Sequence, residues 1–238
     1  MEAYPEELIK AYLNGMFVNL TSGSVYNCFD RTKNHSDEVI RGKEDLHIGM
    51  DFNIRHMSGI VHVYREGQPT AVDELIDILD TPSMILEIKD RYQEHKINVY
   101  PDASGDSGNT VNASESDIFL LRQAGFFVNA PKANPRVRDR VVSMNAMFCN
   151  AKNERRYMVN TTKCPAYTTD LEQQAYDLNG EPDKTKGNDH KPDAAGYFIH
   201  RMHPVKRNNP REHKPREVRR DHYDKAFGET EEDSWKIA

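Results

Sequence analysis

Leu46, Ile48, Met50 and Phe52 alternate with His47, Gly49, Asp51 and Asn53. A period of two marks a half-buried strand and sets Asp51 on the face opposite Leu46, Ile48 and Met50. Two more strand-like runs follow at once, 58–64 and 70–78, separated by the turn-forming Glu66-Gly67-Gln68-Pro69. The period then changes. Thr81-Pro82 reads as a helix cap with a first-turn proline, and Ile85, Ile88 and Tyr92 recur at helical spacing. A short strand over 97–100 ends at Pro101-Asp102, and a helix near 114–124 stops at Gly125. Phe126–Val128 is another short strand. Asn134-Pro135 opens a helix with Val137, Val141, Met144 and Phe148 on one stripe, and Cys164-Pro165 opens another through Gln174. The dipeptide Asn179-Gly180 suits a type I′ hairpin. Proline tolerance confines Pro192 to the first turn of the last helix, which runs to about Met202 and puts Asp193 near its N-terminus. Three strands, then helices alternating with strands, describe an α/β fold with a mixed sheet.

On this reading the core begins at Leu46 and spans 46–203. Residues 1–45 form a lead-in that carries a short amphipathic helix around Leu8, Ile9, Tyr12 and Leu13. Residues 204–238, rich in Pro, Arg, Lys, His and Glu, read as a largely disordered tail. Of the 238 residues, 37% are hydrophobic and 29% charged, which is polar for a chain that is all core. The net charge of -6 excludes a protein that holds nucleic acid by bulk charge alone, although a local basic surface remains open to it. No apolar stretch approaches a membrane span, and the acidic N-terminus is no signal peptide. Three scattered cysteines without a CxxC, Cys28, Cys149 and Cys164, fit a reduced, intracellular protein.

Chemistry concentrates in three acids. Asp51 ends a strand, Asp102 ends another, and Asp193 opens a helix. Alone, each has an ordinary role: an exposed strand residue, a turn aspartate before Ser-Gly, a carboxylate complementing a helix N-terminus. Together they describe a carboxylate cluster, provided the first strand lies parallel to the 97–100 strand and the small residues Ala194, Ala195 and Gly196 let the last helix come close. Hard divalent cations take such oxygen ligands, and phosphodiester hydrolysis uses them. His190, three residues before Asp193, could orient a water, bind phosphate or brace a carboxylate, and equally could be a plain first-turn polar residue.

Other sites fail on their residues. Asp102–Ala113 lacks the sixth-position glycine and twelfth-position glutamate of a calcium loop, and His200 and His203 read as a surface pair. Nucleotide-binding glycine loops and a nucleophile elbow are absent. Arg136, Arg138 and Arg140, with Arg155 and Arg156 beyond the same helix, are either a solvated face or a phosphate-contacting stripe.

Taken in order, IGMDFN, VYPDASG, NASESDIFLLRQAGF, NPRVRDRVVSMN and DHKPDAAGY resemble the C-terminal nuclease domain of tailed-bacteriophage terminase large subunits, over roughly residues 46–203. The resemblance implies an RNase H-like mixed sheet flanked by helices, with an auxiliary hairpin around Asn179-Gly180. It also implies a metal-dependent endonuclease that cuts concatemeric viral DNA during packaging, with two Mg2+ or Mn2+ ions. Asp51, Asp102 and Asp193 match the metal-binding acids, and Asp189 and His190 match accessory positions beside the metals. Double-stranded DNA, a small terminase subunit, the portal and an N-terminal ATPase are the implied partners, in the host cytoplasm and outside the mature virion. This chain has no Walker loop, so residues 1–45 resemble the linker after such an ATPase. A DNA-binding or portal-docking module without catalysis, or an RNase H-like junction resolvase, are the competing expectations.

Overall fold

The computed structural model describes residues 23–53, 56–103 and 117–205. The amphipathic stretch expected within residues 1–22, most of the small-residue loop after Asp102, and the tail from 206 lie outside the described residues. Strands β1 (Leu46–Asp51), β2 (Met57–Arg65) and β3 (Gln68–Ile78) are followed by α1 (Thr81–Arg91), β4 (Ile97–Pro101), α2 (Asp117–Gln123) and β5 (Phe127–Val128). Then come α3 (Val137–Phe148), β6 (Met158–Val159), α4 (Pro165–Gln173) and α5 (His190–Met202). The sheet order is β5-β4-β1-β2-β3-β6. β1–β2 and β2–β3 pair antiparallel, whereas β1–β4, β4–β5 and β3–β6 pair parallel. This is the RNase H-like α/β architecture that the sequence leads one to expect.

Local chemistry explains the joints. β2 and β3 meet at a two-residue turn in which Glu66 and Gly67 both take positive φ, 52° and 80°. That handedness matches strand twist, as in type I′ turns. α1 is capped one residue earlier than expected: the Asp80 carboxylate accepts the Ser83 N–H at 2.9 Å. Thr81 is thereby freed to donate to Asp117 Oδ1 at 2.7 Å, which ties α1 to α2.

The alternation in β1 sends its residues into two cores. Leu46, Ile48 and Met50 pack with Met84 and Ile88 of α1 and with Leu121 of α2. The opposite face of the sheet, through Ile60, Ala71 and Tyr100, packs with Met144 and Phe148 of α3, Tyr167 of α4 and Phe198 of α5. The core does not begin at Leu46, however. Val25 and Tyr26 are buried in the second cluster, and Asn34 donates to the carbonyls of Phe148 and Tyr157 at 2.9 and 3.0 Å. Residues 23–34 are irregular and so carry no period, yet they close the outer side of α3. That is why α3 buries Asn145 besides its apolar stripe. Asn145 donates to the Val25 carbonyl at 2.8 Å and accepts from the Cys28 N–H at 3.2 Å.

Asn179-Gly180 does not form the expected type I′ hairpin. Only Gly180 has positive φ, and the Asp177 carboxylate accepts the N–H groups of Asn179 and Glu181 at 2.8 and 3.0 Å. The side chain thus shapes an Asx turn. A single antiparallel bridge, Tyr176 to Pro182, closes it.

Candidate active site

Parallel pairing of β1 and β4 places their C-terminal ends side by side. Met50 lies opposite Pro101, and the Asp102 N–H donates to the Met50 carbonyl at 3.3 Å. Asp51 and Asp102 therefore leave the sheet at one edge. The third acid arrives on α5, which crosses β1 at Gly49. A Cβ built on Gly49 would lie 2.1 Å from the Ala194 carbonyl oxygen, so this close approach requires glycine there. Gly196, expected to face the sheet, instead faces α3, where a Cβ would meet the Arg140 side chain at an ordinary contact distance of 3.6–3.8 Å.

The result is one cavity of about 500 Å³ faced by Asp51, Asp102, Asp189, His190, Asp193 and Arg140. All three acids singled out from the sequence are brought together, with both accessory residues. Cationic side chains balance the carboxylates. Arg140 Nη2 lies 2.8 Å from Asp193 Oδ2 with both side chains buried, and its guanidinium stacks 4.4 Å from the Tyr197 ring centroid. His190 Nδ1 is 3.3 Å from Asp51 Oδ2, and the Asn53 amide nitrogen lies 2.8 Å from His190 Nε2. Lys184 Nζ stands 3.4 Å from Asp189 Oδ2. Burial raises the Asp193 pKa, opposed by Arg140 and reinforced by the charge of Asp51. Repulsion between the acids thus acts as expected, but desolvation outweighs it. The hydrogen bond to Asp51 raises the His190 pKa, partly offset by burial. Of the three sequence roles open to His190, bracing a carboxylate is the one its contacts match.

Among the described residues, no three His, Cys, Asp or Glu side chains surround a single point as they would a coordinated ion. The donor chemistry nevertheless fits hard divalent cations. The donors are carboxylate oxygens, and Asp189 Oδ1 is buried without a hydrogen-bond partner among the described residues, His190 Nε2 standing 3.9 Å away. An unsatisfied buried carboxylate oxygen is costly unless something cationic meets it.

The basic stripe divides. Arg155 is an interior brace, donating to the carbonyls of Cys28 and Phe148 at 3.1 and 3.3 Å and to Asn34 Oδ1, so its guanidinium is spent on protein. Arg140 belongs to the acid site, and Arg156 is half-buried with its Nε out of contact with solvent. Only Arg136 and Arg138 are exposed. His200 and His203 are not a surface pair: His200 Nδ1 is 2.9 Å from Ser143 Oγ and His203 Nε2 is 3.3 Å from the Tyr64 hydroxyl. Sequence reading missed Gly49, Asn53 and Lys184. Gly49 carried a signal, since glycine inside a strand often marks close backbone approach.

A family model described as the terminase RNaseH-like domain matches residues 48–202. The large terminase of the thermophilic bacteriophage D6E superposes with a TM-score of 0.65 at 21% identity, over 84% of this chain and 50% of that one. The nuclease domain of the P22 large terminase superposes with a TM-score of 0.57 at 16% identity, over 78% of this chain and 96% of that one. The chain thus spans about half the length of the D6E protein. No curated protein matches it.

Proposed function

The chain belongs to the terminase RNaseH-like domain family, and from that premise we propose that it is a metal-dependent DNA endonuclease that cuts concatemeric viral DNA during genome packaging. The observation that carries this reading is the convergence of Asp51, Asp102 and Asp193 from β1, β4 and α5 on one cavity. In this reading Asp51, Asp102 and Asp193, with Asp189 beside them, hold two Mg2+ or Mn2+ ions. Such ions, when bound, lower the pKa of water and offset the charge of a phosphodiester under attack.

The chain's own residues do the remaining work. His190 keeps its proton toward Asp51 and, through Asn53, holds that carboxylate in one orientation. Arg140 and Lys184 supply fixed positive charge at the wall of an otherwise anionic cavity, so a phosphate is not simply repelled. Water adds across the P–O3′ bond, giving 5′-phosphate and 3′-hydroxyl ends. In the longer protein we place beside this domain a packaging ATPase, which would hold the DNA, and a small terminase subunit and portal as partners.

Incubation with supercoiled plasmid tests this reading. Nicked, linear and then heterogeneous fragments should form with Mg2+ or Mn2+ and not with EDTA. Intact plasmid at high protein concentration with both metals would assign the domain to binding without catalysis. Strong preference for four-way junctions would assign it to the resolvases.

A further inference from the structure

A second cavity, of about 250 Å³, adjoins the acid site and shares two of its walls, Pro135 and Tyr197. Its floor is stiff. The Tyr100 hydroxyl is held 2.9 Å from His47 Nδ1, and His200 is tied to Ser143. Pro101, Pro131 and Pro135 fix three stretches of its backbone. No acidic side chain lines it among the described residues. Arg201 does line it, Lys132 lies between its lining residues Pro131 and Ala133, and Arg136 follows Pro135. All three cations are exposed, and none is ion-paired with a carboxylate among the described residues. Elsewhere on this domain cations mostly stand against acids, as Arg31 with Glu172 or Lys96 with Asp45 do.

We infer that this groove is the track for the DNA strand flanking the scissile phosphate, with Lys132, Arg136 and Arg201 contacting its phosphates. The inference rests on the nuclease reading and adds to it where the substrate runs. A strand with one phosphate at the acids must leave the cavity past a wall, and the Pro135–Tyr197 wall opens onto a trough that is basic where the site itself is acidic. Phosphate contacts of this kind position the duplex without reading bases. The track also replaces the stripe expected from sequence. The charge of Arg138 bears on Tyr176, which does not line the groove.

The test is anisotropy of a fluorescein-labelled duplex across a salt series, with Ca2+ to block cleavage, using the whole chain. Arg201→Ala and Lys132→Ala should each weaken binding several-fold and lower the slope of log K against log salt by about 0.9, the pair by about 1.8. Arg201→Lys should keep the slope, and Arg138→Ala should change neither quantity. Because neither Lys132 nor Arg201 is ion-paired with a carboxylate among the described residues, melting temperatures of their variants should stay near the wild-type value. Unchanged slopes in the Arg201 and Lys132 variants, with wild-type binding intact, overturn the track alone. No wild-type binding at any salt overturns the track as well, whereas the nuclease reading falls only if supercoiled plasmid also stays intact with Mg2+ and Mn2+.

Discussion

Arg140 and Asp193 form a buried ion pair, 2.8 Å from Nη2 to Oδ2, between the first turn of α3 and the first turn of α5. The guanidinium is fixed from several sides. Tyr197 lies along one face, Gly196 lies alongside its stem, and Asp193 accepts from its tip. Desolvation disfavours the charge on each partner, and each is stabilised chiefly by the other. The pair therefore locks two helices across the proposed metal site.

Removing one partner should cost stability, against the simpler expectation that deleting a charge from an acid cluster relieves repulsion. Asp193→Asn leaves Arg140 buried without its counter-ion, and loss of one member of such a pair costs about 3–5 kcal/mol. Asp51→Asn, whose partner His190 is only half-buried, should cost much less. Both variants should lose cleavage. Urea unfolding separates them: equal stability of Asp193→Asn and wild type would show that the pair contributes nothing.

Gly49→Ala should damage both the fold and the site. The new methyl meets the Ala194 carbonyl, a backbone atom that cannot rotate away. Overpacking of this kind costs about 1–3 kcal/mol or more, and here the relief is movement of α5 away from β1. Asp193 would then retreat from Asp51. Plasmid cleavage should fall at least tenfold even at temperatures where circular dichroism shows a folded domain. Full activity in the folded variant would mean that the α5–β1 spacing does not set the site.

The mixed sheet was legible because β1 alternates cleanly and helices then alternate with strands, but alternation alone reads as one buried face where helices cover both. The parallel β1–β4 pairing entered as the condition for gathering Asp51 and Asp102, and the structure meets it. Asp51, Asp102 and Asp193 were recoverable because each stands at the end of a strand or the start of a helix. The Arg140–Asp193 pair was not. On a helix with an apolar stripe, an arginine beside the stripe reads as solvated, and nothing local reveals that residues 23–34 cover α3 from outside. Tyr26 and Asn34 were missed likewise, since irregular segments have no period. At two residues, β6 is too short for alternation to register.

Acid should destabilise the domain through its buried histidines. Burial lowers the pKa of His62 to about 3, its ring held between the His47 carbonyl and the Tyr157 hydroxyl at 3.1 and 2.8 Å. His47, His200 and His203 are lowered in the same sense. Above the ordinary histidine pKa both folded and unfolded states are neutral, and nothing is lost. As pH falls below about 6.5 the unfolded chain takes up protons the folded one refuses, costing up to about 1.4 kcal/mol per pH unit for each such group. His190 runs the opposite way, since its raised pKa adds stability below the ordinary value and loses it as pH climbs past the raised one. His62→Gln should be less stable at pH 7.5 yet show a shallower acid limb, by about one proton's slope. An unchanged limb would place the acid sensitivity elsewhere.

Divalent metal should stabilise the wild-type domain, independently of any cleavage. The acids face Arg140, Lys184 and His190, and Asp189 Oδ1 has no hydrogen-bond donor among the described residues, so a bound cation would offset a desolvation cost. At one hundred times the dissociation constant the gain is about 2.7 kcal/mol. For a domain of this size that corresponds to roughly 5–10 °C in melting temperature. Mn2+ and Mg2+ should both produce a shift that EDTA reverses, and Asp51→Asn should lose most of it while melting near wild type without metal. A wild-type melting temperature unmoved by either ion at millimolar concentration would leave the acids as structural partners of Arg140 and His190, and the cavity without the cations its chemistry suits.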